Sequence, residues 1–157
     1  MSKHRFIFVV AAGLTAMVVS SCKKSSSGPA VSHWTFNNQS YTATSTGFPS
    51  TPAHTLIAYD TAVQPQLKVE LVFGHMPTSN QSFGVVNAFS GTIDSLHCAI
   101  GLISGPASSM GIAGASSGGG TVNVTLSNGK VTASFNNISI QTTPTNFTTI
   151  SGVLIEQ

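Results

Sequence analysis

The sequence predicts an all-β protein: an antiparallel β-sandwich of roughly 8 to 10 short strands, with a closed up-and-down β-barrel as the alternative. Three observations predict this class. Beyond residue 22, no segment shows the 3.6-residue apolar period of an amphipathic helix. Short segments instead alternate apolar with polar residues, which suits a sheet with one face in water. Clusters of Gly, Pro, Asn and Ser separate these segments.

The first predicted element is a hairpin. His33–Phe36 and Tyr41–Thr44 flank the polar residues 37–40, and the two-residue period of a strand places Trp34 and Phe36 on one face. The remaining strands are expected near residues 54–60, 66–73, 82–90, 96–103, 109–115, 120–127, 130–141 and 147–156.

The clearest unit is a hairpin over residues 121–135. Apolar and polar residues alternate on both sides of Asn128-Gly129. Asn-Gly favours a tight two-residue turn because both residues tolerate a positive φ. We therefore expect two adjacent antiparallel strands here.

The start of the chain has the layout of a secretory signal peptide. Lys3 and Arg5 precede an uncharged apolar stretch over residues 6–19, followed by small residues. Val19-Ser20-Ser21-Cys22 resembles the lipobox of bacterial lipoproteins. The resemblance implies that Cys22 receives a diacylglyceryl thioether, becomes the mature N-terminus after cleavage and is then N-acylated. An uncleaved anchor and ordinary cleaved secretion are the alternatives. The apolar stretch, about 14 to 16 residues, is shorter than the roughly 20 that span a bilayer.

The chain therefore divides into three predicted parts. They are a helical lipoprotein signal peptide over 1–21, a lipidated Cys22 with a flexible tether over 22–31, and a single β domain over 32–157. Two acyl chains anchor a protein stably to a bilayer. We expect a protein of the bacterial cell envelope, lipid-anchored to the outer membrane through Cys22, with the leaflet left open.

Charge excludes one class of partner. Beyond residue 22, four lysines face four carboxylates and there is no arginine. A basic surface for phosphates is missing, so nucleic acid is not an expected partner. A protein or glycan partner is left open.

Histidines recur along the domain at intervals of 21 to 22 residues, beginning at His33. Imidazole and thiol groups are common metal ligands, so equivalent corners of the fold could bring them together. The candidate ligands are His54, His75, His97 and Cys98. No pair has the close spacing typical of ligands, so neither a metal nor a cofactor is expected. If Cys22 is lipidated, Cys98 has no disulfide partner and is expected to be a buried thiol.

Two short matches to catalytic motifs have structural explanations. Residues 114–118 match G-x-S-x-G, but that elbow needs a helix after the serine and a later histidine, and no histidine follows His97. Residues 127–130 match S-x-x-K at the tip of the clearest hairpin. Lys68 and Glu70 lie on one face of one strand, which favours an ion pair over acid–base catalysis. The chain is therefore not expected to be an enzyme.

Aromatic residues of the first hairpin are the candidate ligand contacts. Trp34, Phe36 and Tyr41 could form a platform on which sugars stack, whereas aromatic residues in such a position commonly belong to a core. Both interpretations stay open at this stage.

Two tripeptides suggest modification sites. Asp60-Thr61-Ala62 and Asp94-Ser95-Leu96 each resemble the Asp-[Ser/Thr]-apolar acceptor for O-glycosylation of exported proteins in some Gram-negative groups. The resemblance implies glycans on Thr61 and Ser95, which would place both turns in solvent.

The domain resembles small Gram-negative envelope lipoproteins rich in β structure. The similarity rests on the residues Trp34–Tyr41 after the lipobox and on the hairpin over 119–135, and it implies no functional residues. We expect a membrane-anchored envelope lipoprotein with a non-catalytic binding or structural β domain. The alternatives are a carrier of a small apolar ligand in a barrel cavity, a carbohydrate-binding module, or an enzyme.

Overall fold

The computed structural model describes residues 30–50, 54–63, 65–106 and 109–157. Within these residues the chain is all-β, as predicted, and contains no helix. The predicted signal peptide, Cys22 and most of the predicted tether lie outside the described residues. The strands are β1 (His33–Phe36), β2 (Gln39–Thr42), β3 (Ser45–Gly47), β4 (Thr55–Asp60), β5 (Gln66–Phe73), β6 (Gln81–Val85), β7 (His97–Gly105), β8 (Gly111–Ser116), β9 (Thr121–Ser127), β10 (Lys130–Thr143) and β11 (Asn146–Ile155).

The strands form one mixed sheet that curls into a partly closed ring. Its main order is β2-β1-β11-β10-β9-β6-β7-β5-β4-β3, and β8 pairs with both β10 and β7. β8 and β9 both pair antiparallel with β10, at different parts of its length. On their other sides β8 meets β7 and β9 meets β6. These pairings give a β-sandwich or barrel-like architecture.

One pair of strands departs from the antiparallel prediction. Gly84 lies opposite His97, and Val85 opposite Cys98, in a parallel pairing of β6 with β7. Parallel neighbours need a crossover connection rather than a tight turn, and residues 86–96 make this crossover. The strand predicted over 82–90 therefore ends early, at Val85.

The predicted hairpin over residues 121–135 is confirmed. β9 and β10 pair antiparallel from Ser127 opposite Lys130 onward. Asn128 and Gly129 form the turn with φ values of 53° and 76°. Both residues thus adopt the left-handed conformation that a two-residue hairpin requires.

Apolar side chains fill the interior of the ring. Along β5 every second residue is buried, as the two-residue period of a strand dictates. Fully burying a Leu, Ile, Val or Phe side chain contributes about 1.5–3 kcal/mol, so this packing is the main source of stability. The largest fully buried side chains are those of Trp34, Phe83, Leu56, Leu71, Ile100, Leu102, Ile138, Ile140, Ile150, Leu154, Val69 and Val122.

The two ends of β11 mark the two ends of the domain. The chain enters the domain beside the last residue of β11, where Ser32 Oγ accepts hydrogen bonds from Ile155 N and Thr46 Oγ1, both at 2.7 Å. We call this the Ser32 end. The β1–β2 turn, the β10–β11 turn and the start of β8 lie at the opposite end, which we call the groove end. At about 3.4 Å per residue, β11 separates the two ends by about 30 Å.

Candidate binding groove

A β-bulge in β8 shapes the groove end. Gly114 lies opposite Leu102 and Ile112 opposite Ile103, so Ala113 is an extra residue without a partner in β7. A bulge bends its strand and disrupts the local pairing. β8 pairs with β10 through its last two residues, and Ala113 lines the groove described below.

Two connected cavities form the groove. The first, of about 580 Å³, lies between the β1–β2 hairpin and the strands β5, β7 and β8. The second, of about 450 Å³, lies between β8 and the start of β11. Phe36 and Ala113 line both cavities, so the two form one continuous surface.

The hydrogen-bonding side chains that line the groove are polar and uncharged. Of the described residues that line it, Tyr41 alone has an ionisable side chain. The polar lining residues are Gln39, Ser40, Tyr41 and Ser104 in the first cavity and Asn37, Thr142, Asn146 and Thr148 in the second.

Tyr41 is held in a fixed position. Its ring stacks on Trp34 with centroids 5.6 Å apart and planes 9° apart, and its hydroxyl donates a hydrogen bond of 2.8 Å to Gln39 Oε1. Partial burial, followed by the negative charge of Asp60, raises the pKa of the Tyr41 phenol above its usual value. The phenol therefore stays neutral and a hydrogen-bond donor at physiological pH.

Asp60 is a structural carboxylate beneath this hairpin. Its side chain is buried, and its two oxygens accept hydrogen bonds from Thr42 N at 3.0 Å and from Ala62 N at 2.9 Å. These bonds tie the end of β2 to the end of β4, so the carboxylate fixes the β1–β2 hairpin against the rest of the ring.

Of the two interpretations of the first-hairpin aromatic residues, a core position is correct for Trp34 and for Phe36, although Phe36 also lines both cavities of the groove. Trp34 is 1 % exposed and Phe36 is 8 % exposed, because both occupy the inward-facing positions of β1. Trp34 offers its ring to Tyr41 rather than to a ligand. Tyr41 is half-buried and lines the groove.

Sequence reasoning missed a second aromatic residue of the groove. Phe147 is 57 % exposed and lines the second cavity. It is the second residue of β11, after the turn at Pro144 and Thr145, and its position before the buried Ile150 was the only local signal. Its proximity to Ala113 depends on the bulge in β8, which alternation of residue types does not reveal.

The candidate metal ligands do not form a site. Among the described residues, no group of three His, Cys, Asp or Glu side chains is placed to hold a metal ion. His54 lies in a turn with a φ of 62°, and the His75 ring packs 5.9 Å from Phe83. His97 Nδ1 lies 2.6 Å from Asp94 Oδ1. Cys98 is fully buried, and burial raises its pKa to about 12.

The serine of the G-x-S-x-G match has a structural role. Ser116 is buried, donates a hydrogen bond of 2.7 Å to Val86 O and accepts one of 3.1 Å from Ile100 N. It thereby bridges β8 to β7 and to the chain after β6. The predicted ion pair also forms, with Lys68 Nζ 2.7 Å from Glu70 Oε1.

The two predicted glycosylation tripeptides adopt the same turn. In each, the aspartate Oδ1 accepts a hydrogen bond from the N–H two residues later, at 2.9 Å in Asp60–Ala62 and 2.8 Å in Asp94–Leu96. Thr61 and Ser95 between them are exposed. Both hydroxyls therefore lie where an enzyme could reach them, and glycosylation stays a prediction.

Another surface cavity, of about 390 Å³, lies on the face of β1, β9, β10 and β11. Its polar side chains largely bond to one another: Ser151 Oγ donates to Asn136 Oδ1 at 2.9 Å and accepts from Asn137 N at 2.9 Å. Ser82 Oγ donates to Asn123 Oδ1 at 2.6 Å beside it. Side chains already satisfied in this way are less suited to a ligand than those of the groove.

Comparison with protein-family models, with curated proteins and with solved structures finds no match to this chain. The groove must therefore be interpreted from its own chemistry. None of the described residues belongs to a helix long and apolar enough to cross a membrane.

Proposed function

We propose that this protein is a membrane-anchored lipoprotein of the bacterial cell envelope whose β domain is a non-catalytic binding module. The observation that carries the proposal is the position of the groove. The chain enters the domain at the Ser32 end, and the groove extends away from that end along β11. Its first cavity begins at Phe36, which pairs with Ile150, and its second reaches Asn146 and Phe147 at the start of the strand.

The proposed anchor would orient the domain. Nine residues lie between Cys22 and Ser32, and the ten residue steps from one to the other span at most about 35 Å when fully extended. Because this tether joins the domain at its Ser32 end, an acylated Cys22 would favour orientations in which that end faces the bilayer. The groove end then points away from the membrane surface, where a ligand in the surrounding space can reach it.

The chemistry of the groove supports binding rather than catalysis. General acid–base catalysis needs a positioned titratable group, and among the described lining residues Tyr41 alone is titratable, with its hydroxyl already bonded to Gln39 Oε1. Asp60 and Ser116 are committed to structural hydrogen bonds. The packed interior argues against a carrier with an internal cavity, because the ring is filled with large side chains.

Energy transfer on vesicles tests the anchor and the orientation together. The lipidated protein would carry a donor dye at Ser127→Cys, in the β9–β10 hairpin at the Ser32 end, or at Thr145→Cys, in the β10–β11 turn. Both positions are exposed, whereas Cys98 is buried and resists labelling. With acceptor-labelled lipid, we expect strong transfer from position 127 and weak transfer from position 145.

The matched control is the Cys22→Ser chain, which we expect to stay in the supernatant when the vesicles are sedimented. Vesicle binding that survives this substitution would refute the lipid anchor. Equal transfer from the two labelled positions would refute the orientation even if the anchor holds.

A further inference from the structure

We propose that the groove binds a neutral oligosaccharide, with Tyr41 and Phe147 contacting separate sugar rings. This inference rests on the binding role proposed above and names the class of ligand. Four features of the groove support it: its lack of charge, its hydrogen-bonding groups, its two aromatic side chains and its length.

The lack of charge selects an uncharged ligand. The described lining residues of both cavities include no Asp, Glu, Lys, Arg or His. A charged ligand would lose hydration in the groove without gaining a partner of opposite charge, which is costly. Anionic polymers, nucleic acids and charged peptides are therefore poor occupants.

The hydrogen-bonding groups match hydroxyl groups on a ligand. Ser40, Ser104 and Thr148 carry hydroxyls that make no hydrogen bond to the described protein residues. Asn37 and Gln39 add side-chain amides. Hydroxyls and amides both donate and accept hydrogen bonds, as do the hydroxyls of a sugar.

The two aromatic side chains provide surfaces for sugar rings. One face of a pyranose ring presents several C–H groups, which pack favourably on the electron-rich face of an aromatic ring. Tyr41 is already fixed by Trp34 and Gln39, so little conformational entropy is lost when a ligand binds. Phe147 is 57 % exposed without a ligand, and a sugar ring would cover apolar area that otherwise faces water.

The length of the groove indicates more than one sugar unit. The two cavities have volumes of about 580 Å³ and about 450 Å³. Each by itself lies within the range of roughly 300–1,000 Å³ typical of ligand sites. Because Phe36 and Ala113 line both, one linear chain can occupy the two cavities in succession.

Calorimetric titration of the full-length protein tests this inference. The protein is held in a detergent without a sugar headgroup, because such a headgroup would compete for the groove. The probes are hexasaccharides of glucose, mannose, xylose and galactose, with hexagalacturonate as the charged comparison. We expect at least one neutral hexasaccharide to bind, and hexagalacturonate to bind at least tenfold more weakly.

The substitution Phe147→Ala locates the ligand. We expect it to weaken binding by about tenfold or more, because exposed aromatic anchors commonly dominate such interfaces. Leu96→Ala is the matched control, since Leu96 is 67 % exposed and lines neither cavity of the groove, and it should leave the affinity unchanged. Tyr41→Phe keeps the ring that packs on Trp34 and removes the hydroxyl, so we expect an intermediate loss with an unchanged fold.

Three results would overturn the inference: no binding by any neutral hexasaccharide, equal binding of hexagalacturonate, or an affinity unaffected by Phe147→Ala. If an uncharged peptide binds instead of the hexasaccharides, with an affinity that depends on Phe147, the saccharide would be refuted as the ligand while a binding function would remain. Failure of the vesicle experiment would refute the anchor without affecting the affinity measured in detergent.

Discussion

The two ends of this domain differ in whether their polar groups are hydrogen-bonded within the protein. At the Ser32 end, the Ser32 hydroxyl donates to Ile155 O at 3.2 Å and accepts two hydrogen bonds, while Val131 N donates to the Glu156 carboxylate at 2.9 Å. At the groove end, the hydroxyls of Ser40 and Ser104 have no partner among the described residues. One end is closed by its own hydrogen bonds, whereas the other leaves these hydroxyls without a partner within the described part of the chain.

Two of the large exposed apolar side chains lie at the groove end, where Phe147 and Ile112 are 57 % and 73 % exposed. At the Ser32 end, Val31 is 39 % exposed, whereas Val131 in β10 and Leu154 in β11 are buried. Large exposed apolar side chains grouped beside a groove commonly mark an interaction site. The exposed side chains at the groove end are consistent with the binding role proposed above.

The substitution Trp34→Ala tests how far the groove depends on the core and should have the largest effect. Trp34 is 1 % exposed, and its ring underlies Tyr41. Deleting such a side chain leaves a cavity and costs about 3–5 kcal/mol of stability. Because this substitution removes the single tryptophan of the chain, tryptophan fluorescence cannot report unfolding. Urea unfolding followed by far-UV circular dichroism measures the loss instead.

Phe89→Ala is the control for this substitution, because it removes an exposed aromatic ring and should change stability by less than about 0.5 kcal/mol. A loss below about 1 kcal/mol for Trp34→Ala would contradict the burial of Trp34.

The substitution Ser32→Ala should break the closure of the Ser32 end. It removes the hydroxyl that bonds to Ile155 and Thr46, so the buried Thr46 hydroxyl and the partly buried Ile155 N–H both lose this partner. A buried polar group left without a partner costs about 1–3 kcal/mol. We expect a loss of this size in the free energy of unfolding.

Ser40→Ala is the matched substitution at the groove end. Ser40 is exposed, so its loss should change stability by less than about 0.5 kcal/mol. Equal destabilisation by the two serine substitutions would remove the difference between the ends.

The division into two ends could be predicted only in part from the sequence. Local patterns predicted most strands and the Asn128-Gly129 turn, because alternation and turn chemistry are properties of neighbouring residues. They did not predict the parallel pairing of β6 with β7 or the bulge at Ala113, since both depend on strands distant in sequence. The groove is a consequence of these long-range features, so its residues Gln39, Ser104 and Phe147 were not foreseen.

The aromatic prediction illustrates the same limit. Trp34, Phe36 and Tyr41 were grouped because they are close in sequence, but the side of the strand on which each lies decides its role. Trp34 and Phe36 face inward from β1, whereas Tyr41 in β2 lines the groove. The period of a strand predicted that Trp34 and Phe36 share a face, and closure of the ring determined that this face is the core.

The smallest predicted effect is a change of stability at alkaline pH, which should differ between Cys98 and the groove residue Tyr41. Cys98 lies opposite Phe73, at the end of β5 remote from the groove, and burial raises its pKa from 9.0 to about 12. Between these values the unfolded chain loses the thiol proton while the folded chain keeps it. The folded state then binds more protons, so its stability falls as pH rises from about 9 to about 12, by roughly 1 kcal/mol per pH unit.

Unfolding in urea at pH 8 to 11 measures this decline. Cys98→Ala should remove most of the decline in the free energy of unfolding above pH 9, whatever stability the substitution costs at pH 8. Tyr41→Phe should reduce the decline less and at higher pH, because the Tyr41 pKa rises from 10.0 through partial burial. If Tyr41→Phe removed more of the decline than Cys98→Ala, the groove end would be the more tightly enclosed of the two, and the distinction between a closed and an open end would be wrong.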